Sequence, residues 1–229
     1  MKQIVTRAIV LGRTDFGEAD RILTLLTPDY GKLRLMAKGV RRLKSKMAGG
    51  IELFSVSDIT FIEGRGEVGT LISTRLVKHY GHIAENIDRT MLGYELIKRL
   101  NYATEDQPET VYFDLLEGAF ATLDESAARD VLIKVWFDAQ LLRLAGHTPN
   151  LTHEVAGARL VPENAYEFSF DDSAFRADAN GNFTAADIKF LRLVFGSTSP
   201  AALAKIKDVS TLAERATPLV NFMRQQYIR

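Results

Sequence analysis

Through the first third of the chain the apolar residues come in short runs. Gln3–Leu11, Arg21–Thr27, Lys32–Ala37, Ile51–Ile62 and Val68–Val77 are rich in Val, Ile, Leu, Thr and Phe, while Gly12–Gly17, Pro28–Gly31, Gly49–Gly50 and Gly64–Gly66 punctuate them. Pro28-Asp29-Tyr30-Gly31 is a tight-turn signal, because Pro presets φ and Gly accepts φ > 0. Five short strands in succession predict a small Greek-key barrel.

From Ile83 the spacing lengthens from two towards three and four. Ile83, Ile87, Leu92, Leu96 and Leu100 predict one helix, and a second runs from Pro108 through Leu115, Leu116, Phe120 and Leu123. Ala127–Ala145 predicts a third, stopped by Gly146 with Pro149 beyond. Residues 150–183 lack helical rhythm and are rich in Asn, Asp, Gly and Glu, so an irregular or hairpin insertion is expected there. Thr184 and Asp187 resemble a weak capping box opening Ala185–Phe195, Ser199-Pro200 and Ser210 start two further helical pieces, and Pro218 is expected to kink or divide the last. The expected division is a β domain over 1–82 and a helical domain over 83–229.

Composition excludes several classes. The 229 residues hold no cysteine, which forbids disulfides, thiolate nucleophiles and Cys-ligated zinc. Ile9–Leu11 is too short an apolar run for an export signal, and no window approaches a membrane span, so a soluble cytoplasmic protein is expected. The net charge of zero hides an asymmetry: residues 1–82 carry 14 Lys and Arg against 8 Asp and Glu, and residues 83–229 carry 15 against 21.

The basic excess is concentrated in Lys32 to Lys46, which holds Lys32, Arg34, Lys38, Arg41, Arg42, Lys44 and Lys46 and no acid. A 15-residue window at the chain average would hold about two basic residues. Leu33, Leu35 and Ala37 share one face of a strand and the early cations lie towards the other, so one face can pack while the other presents charge. The continuation between Gly39 and Gly49-Gly50 reads as a flexible basic loop able to follow a phosphate backbone by counterion release. A solvated edge that blocks strand aggregation is the plainer alternative. Seven cations without an acid favour a polyanion.

Other motifs carry less. Gly64-Arg65-Gly66-Glu67-Val68-Gly69 matches the dinucleotide fingerprint, but Thr70–Thr74 prefers a strand where the fingerprint needs a helix, so a hairpin turn is expected. Asp178, Asn180, Gly181 and Asp187 imitate part of a calcium loop whose first ligand position is Arg176, and Asn180-Gly181 as a turn is simpler. His79, His82, His147 and His153 make no metal spacing and no hydrolytic triad. Asp124-Glu125 and Asp171-Asp172 are adjacent acids whose side chains diverge. Phe54 and Phe61 are expected in the core, and Phe16 and Tyr30, in turns, are the aromatics expected at the surface, where single-stranded nucleic acid is commonly held by stacking.

Gly17–Thr27 (GEADRILTLLT), Tyr30-Gly31-Lys32-Leu33, Ala37-Lys38-Gly39-Val40-Arg41-Arg42, Phe54-Ser55, Glu63-Gly64-Arg65-Gly66 and Leu141–Leu151 (LLRLAGHTPNL) form a set of local motifs. On these the chain resembles the bacterial RecO family of recombination mediators. The resemblance implies an α+β chain: a five-stranded OB barrel over 1–82, binding nucleic acid, then a helical domain. It also implies binding of single- and double-stranded DNA, strand annealing, and help in replacing single-stranded-DNA-binding protein with RecA. The implied partners are RecR, RecF through RecR, the C-terminal tail of single-stranded-DNA-binding protein, and RecA, at the nucleoid. Many members carry four zinc-binding cysteines after the position of Leu151; here His153 and Ala156 stand near the first pair and 160–183 offers no thiol, so the usual zinc finger is excluded.

The expectation is a non-enzymatic mediator without cofactor, in which the barrel supplies a cationic track and the acidic-leaning helical domain supplies protein contacts. An OB-type RNA-binding protein and a non-catalytic interaction scaffold are the rivals, with a nucleotide-dependent enzyme a distant third.

Overall fold

The computed structural model describes residues 2–64, 66–104, 110–125 and 130–228. Five strands, β1 (Gln3–Phe16), β2 (Asp20–Thr27), β3 (Gly31–Ala37), β4 (Ser55–Ile62) and β5 (Val68–His79), close a barrel in the order β1-β2-β3-β5-β4. β3 and β5 pair in parallel from Arg34↔Val68 to Met36↔Thr70, and the other seams are antiparallel. Alternate residues fill the interior, among them Ala8, Val10, Leu23, Leu25, Leu35, Ala37, Ile59, Phe61 and Leu71.

Two strand boundaries differ from expectation. β1 continues past Gly12, because a register shift between Val10 and Gly12 lets the β2 ladder run on to Phe16↔Asp20. β4 starts at Ser55 rather than Ile51: Phe54 has φ +57°, and its buried ring packs so close to Gly93 that a Cβ there would lie 2.6 Å from it. The Gly64–Gly69 motif joins β4 to β5 as a hairpin turn, with Arg65 outside the described residues. A Cβ on Gly69 would meet the Ile62 carbonyl at 2.7 Å, so this glycine serves a close backbone approach.

After β5 come α1 (Gly81–Ala84), α2 (Ile87–Ala103) and α3 (Thr110–Asp124). Asn86 caps α2 by accepting from the Arg89 N–H at 3.0 Å. Leu92, Leu96 and Leu100 are buried as their spacing predicts, but Ile87 is 72% exposed. It starts a second stripe, continued by exposed Met91 and Tyr102, away from the packed face, while half-exposed Tyr94 sets its ring edge-on to buried Phe54 at 5.5 Å. The expected Pro108 start of α3 lies outside the described residues. The strand-to-helix switch falls at Gly81, but the chain divides into compact units between 126 and 127, so these helices count with the barrel rather than with residues 127–229.

The second unit contains α4 (Asp130–Leu144), β6 (Asn150–Glu154), β7 (Tyr166–Ser169), β8 (Ala174–Ala177), α5 (Ala185–Gly196), α6 (Pro200–Leu203) and α7 (Val209–Tyr227). α4 is buried on nearly every side and ends at Gly146, φ +83°, where the His147 N–H reaches the Leu142 carbonyl at 2.8 Å. Its expected start at Ala127 lies outside the described residues.

Residues 150–183, expected to be irregular or a hairpin, form a three-stranded sheet in the order β6-β8-β7. Tyr166, Phe168, Phe170, Phe175 and Phe183 make a run of edge-on ring contacts, with centroids 5.0 to 6.3 Å apart. Phe170 also meets Phe222 of α7 at 4.2 Å. Thr184 and Asp187 form the capping box, and Arg215 donates to the buried Asp187 carboxylate at 2.6 Å. Asp178 accepts from the Asn180 N–H at 2.8 Å, which makes this acid a turn former. α7 begins after Asp208 rather than at Ser210 and is not divided by Pro218.

The residues present do not fit zinc. There is no cysteine, and no group of three His, Asp or Glu among the described residues could hold a metal ion. The aromatic contacts hold this region instead. Among the described residues no helix is long and apolar enough to cross a membrane.

Candidate nucleic-acid interface

The seven candidate cations do not stand alike. Lys32, half-buried on β3, donates from Nζ to the carbonyl and side-chain oxygens of Asn101 at 2.9 and 3.3 Å, tying the barrel to α2. Arg34 is exposed and lies 3.7 Å from exposed Glu67. Between them Leu33 packs against the core, and Leu35 and Ala37 are buried, so the inferred alternation holds.

The segment from Lys38 to Gly50, expected to be a flexible loop, is a series of turns anchored to the barrel. Val40 and Ile51 are buried, and the Thr74 hydroxyl donates to the Met47 carbonyl at 3.1 Å. Gly39, at φ +66°, donates its N–H to Asp20 at 2.7 Å. The Arg41 N–H donates to the Ala19 carbonyl at 3.0 Å, and its guanidinium reaches the Gly17 carbonyl at 3.3 Å and Asp15 at 3.5 Å. Asp15 also accepts from Arg21 at 2.7 Å. The Arg21 hydrogen bond above all, with the charges of Arg41 and Arg13, holds the Asp15 carboxyl below its ordinary range.

Arg41 therefore fastens the turn to the β1–β2 tip. Lys38, Arg42, Lys44 and Lys46 are exposed and make no side-chain hydrogen bond or ion pair among the described residues. Four unpaired cations on an anchored turn form a positive surface with little internal neutralisation.

Phe54 and Phe61 are buried as expected. Phe16, at the end of β1 rather than in a turn, is 53% exposed. Tyr30 is partly exposed, with its ring edge-on to Phe61 at 5.8 Å. Sequence reasoning passed over Leu43, which is fully exposed among the cations. Its only sequence signal is its flanks, Arg42 and Lys44 beside it and Arg41 and Ser45 two away, which leave no apolar partner at strand spacing; Val40 and Met47 at helical spacing mask that signal.

The negative charge is also more localised than the halves suggested. Residues 83–126 hold 3 Lys and Arg against 10 Asp and Glu, whereas residues 127–229 hold 12 against 11. The acidic lean thus belongs to the segment of α1–α3 alone, within the barrel's own compact unit.

The family model for the recombination protein O N terminal matches residues 1–80, and that for the C terminal matches residues 91–222. The chain belongs to the recombination protein O (RecO) family. It is 37% identical over 145 residues to the DNA repair protein RecO of Rhodopirellula baltica, covering 62% of this chain and 53% of that protein. Identity to the DNA repair protein RecO of Dehalococcoides mccartyi strain 195 is 31% over 147 residues, covering 64% of this chain and 57% of that protein. For that of Roseiflexus sp. strain RS-1 it is 30% over 165 residues, covering 72% and 57%. The chain spans a little over half the length of these curated RecO relatives. The family-model boundaries leave 81–90, the switch from β5 into α2, between the two matches.

Proposed function

We propose that the chain is a DNA-binding recombination mediator of DNA repair, annealing complementary strands and assisting RecA loading on DNA covered by single-stranded-DNA-binding protein. The observation that carries this reading is the anchored turn with unpaired Lys38, Arg42, Lys44 and Lys46, in a chain of the RecO family. Arg34 extends the same surface along β3, Lys32 sits at its inner end, and Arg41 sets its position. Annealing needs no bond to be made or broken: a positive surface lowers the repulsion between two phosphate backbones and raises their local concentration. The reading is accordingly non-enzymatic. DNA, RecR, RecF through RecR, the tail of single-stranded-DNA-binding protein, and RecA are its partners, and the cytoplasmic nucleoid is its place.

The test is annealing of complementary oligonucleotides across a salt series, with and without single-stranded-DNA-binding protein, alongside competition between matched DNA and RNA. Annealing that weakens steeply with salt, at about 0.7 log units of affinity per log unit of salt for each single-strand phosphate contact, is expected. No annealing at low salt, or preference for RNA, would overturn the reading.

A further inference from the structure

Phe16 and Leu43 are the two large apolar side chains at the junction of the β1–β2 tip and the basic turn, and both are exposed, Leu43 completely. Their placement is fixed by one set of contacts. Arg41 bonds through its backbone to Ala19 and through its guanidinium to Gly17 and Asp15, the residues on either side of Phe16 at the tip. Gly39 bonds to Asp20, which pairs with Phe16 across the hairpin. Phe16 therefore stands one residue from a partner of Arg41, and Leu43 stands two residues after it, between Arg42 and Lys44.

A single exposed leucine or phenylalanine on a protein surface needs no explanation. Here Leu43 lies in the chain between the exposed Arg42 and Lys44, and Phe16 lies between the Asp15 and Gly17 that Arg41 reaches, so a polyanion engaging these cations is brought beside exposed apolar side chains. Phosphates would engage the cations, while an unpaired strand could turn its bases onto an aromatic face and an aliphatic wedge. A duplex keeps its base faces covered by stacking and offers only phosphates.

We propose that Phe16 and Leu43 form a base-contacting pair through which this surface holds an unpaired strand more tightly than phosphate contacts alone would, Phe16 as a stacking platform and Leu43 as a wedge. This rests on the DNA-binding reading above and adds contacts to the bases. Stacking occupies a base's flat face and leaves its pairing edge free, so a strand held this way remains competent to meet its complement.

The experiment compares three probes of equal phosphate count by fluorescence anisotropy: an oligothymidylate, an abasic sugar-phosphate strand and a duplex. The full chain is expected to bind the oligothymidylate about ten-fold more tightly than the abasic strand. A Phe16→Ala, Leu43→Ser double variant should lose that ratio while keeping its affinity for the abasic strand and duplex, its salt slope and its thermal midpoint. Unchanged abasic binding and midpoint would show that the variant is folded. Equal binding of oligothymidylate and abasic strand by the unmodified protein, or a ratio retained in the variant, would overturn the base contacts and leave the mediator reading standing. Binding to none of the probes would overturn both.

Discussion

Residues 38–50 and 150–183 look alike as sequence: both are polar, rich in turn formers and without sustained periodicity. As structure they are opposites. The first has no aromatic residue and no regular strand, and it is fastened at a few points while its charged side chains face solvent. The second folds on itself around Tyr166, Phe168, Phe170, Phe175 and Phe183, then closes onto α7 through Phe222 and the Asp187–Arg215 pair. Polar composition did not decide which segment builds a core. Aromatic rings at alternate positions did, because 166, 168 and 170 fall on one side of an extended chain. The same rings hold together a segment that offers no thiol for zinc.

Removing one ring should strike this contrast hardest. Phe175 is fully buried and touches Tyr166, Phe168 and Phe183, so Phe175→Ala is expected to cost about 3–5 kcal/mol. Trp136 is the chain's sole tryptophan and is buried in α4, so its fluorescence during urea unfolding reports on the same unit. DNA affinity under native conditions should change less than two-fold. A shift in affinity with little loss of stability would mean that the two segments do not divide their labour as described.

The reciprocal variant changes Lys38, Arg42, Lys44 and Lys46 to Ser. Single-strand affinity at low salt is expected to fall about a hundred-fold, with the salt slope shallower by up to about three. Unfolding followed by circular dichroism, which reports on the barrel as well, should move by less than about 0.5 kcal/mol, since exposed, unpartnered side chains contribute little to stability. An unchanged slope would place the phosphate contacts elsewhere.

Much of this architecture was legible because strand and helix periods differ. The five runs of apolar residues became the five strands, and the change of spacing after Ile83 marked the first helices. The capping box at Thr184 and the stop at Gly146 were readable because each is a local rule of backbone chemistry. What failed depended on partners distant in sequence. β1 runs through Gly12 because β2 continues to pair with it, and Ile87 is outside because α2 has two apolar stripes, of which packing chooses one. The sheet within the expected insertion was not legible, although Tyr166-Glu167-Phe168-Ser169-Phe170 alternates, because the surrounding Asn, Asp and Gly are turn signals. At the candidate interface the cations were visible as a run. Their division into fastened and unpaired was not, because the acid that holds Arg41 lies 26 positions earlier, at Asp15.

That acid gives the finest test of the contrast between an anchored turn and its exposed charges. Asp15→Asn removes the anion beside Arg41 but keeps the backbone bonds from Arg41 to Ala19 and from Gly39 to Asp20. If Arg41 then becomes available to phosphate, affinity rises about two- to five-fold, the scale of an exposed ion pair. Asp15 has its pKa lowered from 3.8, so its contribution to stability is present above that value and lost as pH falls through the lower, folded-state value. The carboxylate is therefore charged from about pH 5 to 8, and the affinity ratio of variant to unmodified protein should be flat there, closing only in stronger acid. A fall in affinity for Asp15→Asn would make the Asp15–Arg41 contact a needed part of the turn's anchorage rather than a competitor for phosphate. Oligonucleotide anisotropy at fixed ionic strength separates the two outcomes.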